Sequence, residues 1–96
     1  MRKESGKPLK NAIQEFIDHY ELRYKFDEKL ILESWSELAG ALIYKHTTDI
    51  NLKNRKLYVH IKSSVAKQEM MFMRNRLIEL INRKMGKKVV DEIILI

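Results

Sequence analysis

The chain has 96 residues, of which 45% are apolar and 33% charged, with 3 Gly, 1 Pro and no Cys. This length fits one domain, and the composition excludes a disordered tail and a fibrous repeat. The lack of cysteine excludes disulfides, thiolate nucleophiles and Cys-based zinc sites. Because no apolar run follows the charged N-terminus and no stretch reaches the length of a membrane span, we expect a soluble, cytoplasmic protein.

Positive charge is concentrated in the second half of the chain. Residues 1–44 hold 7 Lys/Arg and 8 Asp/Glu, whereas residues 45–96 hold 12 and 5, which gives net charges of −1 and +7. Such asymmetry indicates a polyanionic partner, most often nucleic acid. The alternative is that the charge serves solubility alone.

The first half of the chain predicts two helices. We expect a flexible basic leader over residues 1–7 and a single α+β domain over residues 8–96. Pro8 suits a first helical turn, and apolar residues at helical spacing then indicate an amphipathic helix that ends near Glu21. Residues 22–26 are predicted to be a connector.

A second helix is expected to follow this connector. Asp27 is a plausible N-cap, and apolar residues continue at three- and four-residue steps as far as Leu42. Trp35 is expected to pack at the centre of the core rather than to anchor a partner. Gly40 either ends the helix or lets another backbone approach closely.

The spacing then changes from helical to alternating. Apolar and polar residues alternate over 48–53 and 56–62, and Asn54-Arg55 between them predicts a β-hairpin. Ser63 or Ser64 caps a third helix with a broad apolar stripe, which Gly86 ends. A final strand over 89–96, reached by a helical crossover, is expected to pair parallel to the second strand. The fold class is therefore α+β, with the order α-α-β-β-α-β and a three-stranded sheet packed on helices.

Few residues suggest catalysis or a cofactor. His19, His46 and His60 lack metal-ligand spacing, and the Asp27-Glu28 and Asp91-Glu92 pairs are adjacent in sequence, so their side chains should diverge. No Gly-rich phosphate loop is present. We therefore expect no enzyme activity, no metal, no cofactor and no small-molecule substrate.

The basic residues of the second half are the candidate nucleic-acid contacts. Lysines and arginines can hold phosphates, while Tyr58 and His60 on the outward strand face can stack on bases. A solvated strand face is the alternative, since Tyr and Lys are common there. The candidate phosphate contacts are Lys45, Lys53, Arg55, Lys56, Lys62, Lys67, Arg74, Arg83, Lys84, Lys87 and Lys88.

Two features of the third helix have other interpretations. Phe72 lies off its apolar stripe, beside Arg76 and Arg83, and we expect it to contact the first helix or a dimer partner. Methionines 70, 71 and 73 could form an adaptable binding surface, although methionine at this spacing more often belongs to a core.

Several short motifs occur in a recognisable order. They are Trp35 to Gly40, Lys45-His46-Thr47, Leu57-Tyr58-Val59, Ser63-Ser64, Gln68-Glu69, Leu77 to Asn82, Gly86 and Val90 to Ile94. Each motif is weak alone, but their order and spacing resemble the bacterial DciA family over residues 9–96. The resemblance implies a K-homology-like domain that binds nucleic acid and acts on the ring-shaped replicative helicase DnaB.

Two departures limit this resemblance. Several family members have a disordered C-terminal extension, and this sequence ends after the last predicted strand. A K-homology domain proper grips the backbone with a G-x-x-G loop, which this sequence lacks. The leading hypothesis is a non-catalytic module that binds nucleic acid, DNA ahead of RNA, and is linked to helicase loading. The alternatives are a protein–protein adaptor and an RNA-binding module.

Overall fold

The structure, a computed structural model, describes residues 8–96. The predicted leader, residues 1–7, lies outside the described residues. The elements are α1 (Pro8–Glu33), α2 (Trp35–Ala39), α3 (Ala41–His46), β1 (Thr47–Lys53), β2 (Lys56–Ile61), α4 (Ser64–Met85) and β3 (Glu92–Leu95). The predicted α+β class, with a hairpin, a long helix and a final strand, is confirmed.

The first helix is longer than the sequence pattern indicated. α1 is helical from Pro8 to Glu33, so the predicted connector at 22–26 and the predicted N-cap at Asp27 are wrong. Leu22 and Phe26 leave the apolar stripe, which made the pattern look interrupted. The helix continues because this segment contains no Gly or Pro, and its residues all tolerate helical geometry.

Two short helices follow at the position of the predicted second helix. The chain turns at Ser34, and Gly40 separates α2 from α3. Gly40 has φ 92° and ψ 166°, a backbone conformation that is essentially restricted to glycine. A Cβ placed there would meet no atom within 4 Å, so Gly40 ends a helix and does not allow a close backbone approach.

The sheet has the predicted topology. β1 pairs antiparallel with β2, and β2 pairs parallel with β3, in the order β1-β2-β3. Because α4 runs back between β2 and β3, the hairpin turn and the start of β3 lie at the same end of the sheet. We call this end the tip end, and the opposite end, where β2 passes into α4, the far end.

The two ends of α4 are capped by residues that the sequence predicted for this role. Ser63 is the N-cap, and its side chain accepts a hydrogen bond from the Ala66 amide. Gly86 adopts the left-handed conformation at the C-terminus. Asn82 fixes the chain beyond it, because its Oδ1 accepts from the amides of Val89 and Val90 and its Nδ2 donates to the Val90 carbonyl.

The core lies between one face of the sheet and the helices. Trp35 is 1% exposed, which confirms its predicted place in the core, and its Nε1 donates to Thr47 Oγ1 at 3.0 Å. From α4, the buried side chains are Ala66, Met70, Leu77 and Ile81. The opposite face of the sheet carries the polar residues of the strands.

The N-terminal part of α1 extends beyond this core. The described residues measure 61 × 24 × 19 Å, far from the shape of a sphere. The apolar stripe that is buried at Ile31 continues outward as exposed residues, with Leu9 75% and Phe16 68% exposed. Within residues 8–96, no helix is long and apolar enough to cross a membrane.

Candidate nucleic-acid interface

The hairpin turn at the tip end presents an arginine in a constrained position. Asn54 and Arg55 have φ values of 52° and 64°, as a two-residue hairpin turn requires. Arginine rarely adopts positive φ. Its guanidinium is held by Asp91, with Nε–Oδ2 2.8 Å and Nη2–Oδ1 2.9 Å, and the Asp91 amide donates to the Arg55 carbonyl at 2.7 Å. The turn is therefore fixed to the segment that precedes β3.

This ion pair changes the proton affinity of both groups. The hydrogen bond to Asp91 raises the pKa of Arg55, and the hydrogen bond from Arg55 lowers the pKa of Asp91. Both groups are thus held in their charged forms at neutral pH.

A cleft lies between α1, the hairpin turn and the segment after α4. Its volume is about 200 Å³. Four cations from three separate segments border it, together with two tyrosines and one carboxylate. The lining residues are Tyr20, Arg23, Tyr24, Asp27, Arg55, Lys87, Lys88 and Val89.

The two tyrosines form one wall of the cleft. Their rings meet edge to face with centroids 4.7 Å apart, and their hydroxyls are 2.7 Å apart. The hydrogen bond with Tyr20, followed by partial burial, raises the pKa of Tyr24. The wall is therefore neutral and aromatic, which is the surface on which a nucleic-acid base can stack.

The open face of the sheet carries further polar and charged residues. Register places Asn51 opposite Tyr58, and Lys53 opposite Lys56. Like charges directly opposite each other on a sheet destabilise it, and Glu92, the register partner of Lys56 on β3, places one negative charge beside this lysine pair. A groove along the face is lined by Tyr58, His60 and Lys53, among others.

The predicted contacts fall into two main groups and one dispersed group. At the tip end are Lys53, Arg55, Lys56, Lys87 and Lys88. At the far end are Lys45, Lys62 and Lys67, because the Lys62 amide donates to the His46 carbonyl and Lys67 lies in the first turn of α4. Arg74 lies in the middle of α4, and Arg83 and Lys84 lie in its last turn.

Within residues 8–96, three of the candidate cations have acidic partners. Arg55 pairs with Asp91, Lys84 Nζ lies 3.4 Å from Glu37, and Lys87 Nζ lies 3.6 Å from Asp27. These pairs reduce the net charge available to a partner. With Arg23 included, the tip end still has six cations against the four carboxylates of Asp27, Glu28, Asp91 and Glu92.

The sequence pattern missed the contribution of α1 to the cleft. The pattern predicts a helix end and a connector at Tyr20, Arg23 and Tyr24, whereas the unbroken helix places these residues on one side, beside the hairpin turn. The available signal was the spacing of Tyr20, Tyr24 and Asp27, which repeats the three- and four-residue steps of a helix.

Other sequence hypotheses have structural outcomes. Phe72 is 82% exposed, so it does not pack against α1, and contact with a partner stays a prediction. Met70 is buried and Met71 exposed, so the methionines divide between core and surface. Within residues 8–96, no group of three or more His, Asp or Glu side chains is arranged to hold a metal ion.

The fold and its charged tip define the chain as a small α+β module with a basic, partly aromatic surface. The family model described as "Dna[CI] antecedent, DciA" matches residues 8–95. The chain therefore belongs to the DciA family, a family linked to loading of the helicase DnaB.

A curated relative is a "UPF0232 protein" of Corynebacterium glutamicum (strain R), 27% identical over 63 residues. The match covers 66% of this chain and 35% of the relative, so this chain aligns with about a third of that protein's length. No solved structure matches the chain. The K-homology-like description accordingly stays a prediction.

Proposed function

We propose that this chain is a non-catalytic accessory module that binds nucleic acid, DNA in particular, and takes part in loading the replicative helicase DnaB. The observation that carries the proposal is the tip surface, which we define as Arg23, Lys53, Arg55, Lys56, Lys87 and Lys88. These cations come from α1, the hairpin and the segment after α4. Arg23, Arg55, Lys87 and Lys88 border the cleft with the two tyrosines, and Lys53 and Lys56 lie on the strands that flank the hairpin turn.

The charge and aromatic character of the tip surface suit a single strand of nucleic acid. Lysine and arginine neutralise phosphates and release counterions, which gives affinity without sequence readout. Tyr20 and Tyr24 offer ring faces and edges in the cleft, and Tyr58 lines the separate groove on the sheet face. DNA and RNA both present phosphates to such a surface, so the preference for DNA rests on the family's link to replication.

A non-catalytic role is supported by the residues that line the cleft. They include no serine, histidine or cysteine, and their one carboxylate, Asp27, faces Lys87. A serine, threonine or cysteine nucleophile with a histidine base is not among them.

A protein–protein adaptor is a second candidate function, because the surface also carries exposed apolar residues. Leu9, Ile13 and Phe16 follow one stripe of α1, and Val65 and Phe72 lie one heptad apart on α4. Exposed apolar side chains in a row favour docking of another protein. Helicase contact and DNA binding by separate surfaces of one chain are compatible.

The DNA proposal is tested by titrating labelled single- and double-stranded DNA at low and physiological salt. We expect binding at low salt that weakens steeply as salt rises. No binding to either DNA at low salt would contradict the proposal. Competition with matched RNA oligomers then decides between the two nucleic acids.

The helicase proposal is tested by pull-down of purified DnaB with this chain, with and without DNA. We expect DnaB to be retained in both conditions. Phe16→Glu and Phe72→Glu, which change exposed residues, identify which apolar surface is used, and Leu22→Glu on the other side of α1 is the matched control. Failure to retain DnaB in either condition would contradict this part of the proposal.

A further inference from the structure

The cleft at the tip end is lined by a buried carboxylate, Asp27, that accepts no hydrogen bond from the described residues. Asp27 is 5% exposed, and among residues 8–96 its ion-pair partner is Lys87, with Oδ2–Nζ 3.6 Å. That distance is longer than a hydrogen bond. Within the same residues, no hydrogen bond to the Asp27 carboxylate is found. Because a buried carboxylate normally accepts several hydrogen bonds, Asp27 has acceptor capacity directed at the cleft that it lines.

From this geometry we propose that the cleft takes one unpaired guanine base of a nucleic-acid strand, with its Watson–Crick edge on Asp27. The proposal rests on the nucleic-acid binding proposed above and names the base that the surface recognises.

The carboxylate decides which part of a nucleotide enters the cleft. A phosphate beside Asp27 would place two negative charges together, so phosphates belong at the rim, near Arg23 and Lys88. The group that reaches Asp27 must donate hydrogen bonds. Within a nucleotide, the base edges provide N–H donors of this kind.

Guanine matches a carboxylate better than the other bases. Its N1–H and N2–H lie side by side in one plane, so the two oxygens of a carboxylate can accept both. Adenine and cytosine place an acceptor next to their donor, and thymine has one donor between two acceptors. In each of those bases an acceptor lone pair would face a carboxylate oxygen.

The walls and the size of the cleft also fit one base. Tyr20 and Tyr24 supply the aromatic surface, and stacking on such a surface contributes to binding of single strands. The volume of about 200 Å³ is below that of pockets for drug-sized molecules. Because the Watson–Crick edge is engaged, the base must be unpaired, which predicts a preference for single strands.

The test uses base analogues and therefore needs no substitution. A labelled twelve-residue oligo-dT strand is compared with the same strand carrying one central dG, dI or dA, by fluorescence anisotropy with the full chain. We expect the dG strand to bind about tenfold more tightly than oligo-dT, because a bidentate contact discriminates by about this factor or more. Inosine lacks the N2 amino group, so the dI strand should lose most of this preference.

Asp27→Asn provides the second test, with Asp18→Asn on the same helix as the matched control. Asp27→Asn should remove the preference for dG over dI, while binding of oligo-dT stays salt-dependent and becomes slightly tighter because one negative charge is lost. Asp18→Asn should leave the preference for dG over dI unchanged. Circular dichroism establishes that both variants are folded; if Asp27→Asn is not, the comparison of dG with dI on the unmodified chain decides.

The outcomes separate this inference from the proposed function. Equal binding of the dG and dI strands by the unmodified chain overturns the guanine proposal and leaves nucleic-acid binding intact. Absence of binding to all four strands at low salt overturns nucleic-acid binding itself.

Discussion

The two ends of the sheet both carry exposed lysines, but the residues around those lysines differ. At the tip end, Lys53, Lys56 and Lys88 lie near a cleft with an aromatic wall and a buried carboxylate. At the far end, Lys45, Lys62 and Lys67 surround the start of α4, where the helix dipole itself favours anions. The net charge of the second half therefore does not identify a site, because both ends share it. The tip end differs in the aromatic wall and the buried carboxylate that lie among its cations.

The largest expected effect comes from the connection that positions the tip-end lysines. Asn82→Ala removes three hydrogen bonds to the segment of Val89 and Val90. Because backbone groups would then lose their partners, we expect the free energy of unfolding to fall by about 2–4 kcal/mol. Urea denaturation measures this, and Asn75→Ala, an exposed asparagine on the same helix, should change stability by less than about 0.5 kcal/mol.

A smaller effect is expected where α4 ends. Gly86 has φ 76°, and a Cβ there would meet no atom within 4 Å, so Gly86→Ala adds conformational strain without a clash. We expect a loss of about 1 kcal/mol. Binding of DNA by the folded variant should weaken because Lys87 and Lys88 follow directly, whereas far-end contacts should be unaffected. An unchanged thermal midpoint would contradict the structural part of this prediction.

The smallest effect concerns the Arg55–Asp91 pair. Because the folded pKa of Asp91 is lowered, its contribution to stability is present above the unfolded value of about 4 and is lost as pH falls through the folded value. Thermal melts across this acidic range should therefore show a steeper loss of stability for the unmodified chain than for Asp91→Asn. If the stability of the unmodified chain and of Asp91→Asn falls equally with pH, the Arg55–Asp91 pair does not stabilise the fold. At neutral pH, Asp91→Asn should strengthen DNA binding slightly, since it removes a negative charge from the tip surface.

The sequence predicted features that depend on local chemistry. Asn54 predicts the hairpin turn, Ser63 predicts the N-cap of α4 and Gly86 predicts its C-terminus, because each acts through its own side-chain or backbone preference. The size of Trp35 predicts its place in the core. The length of α1 was missed because the apolar pattern alone cannot tell an exposed apolar pair, Leu22 and Phe26, from the end of a helix.

The candidate site was predictable only in part. The charge of Arg55, Lys87 and Lys88 identifies them as candidates, but their position beside Tyr20 and Tyr24 depends on contacts between residues far apart in sequence. The pairs Asp27–Lys87 and Arg55–Asp91 link segments separated by 60 and by 36 residues. No local pattern indicates such contacts, since they follow from the topology of the sheet.

We propose that the tip end, and not the far end, binds nucleic acid. Two triple variants with the same change in charge test it directly: Lys53→Glu, Lys56→Glu, Lys88→Glu at the tip end and Lys45→Glu, Lys62→Glu, Lys67→Glu at the far end. Single-stranded DNA affinity is measured for each across a salt series. We expect the tip-end variant to bind at least about tenfold more weakly, with the slope of log affinity against log salt reduced by about 2. The far-end variant should stay close to the unmodified chain. Equal losses in both variants, or a larger loss at the far end, would contradict the account.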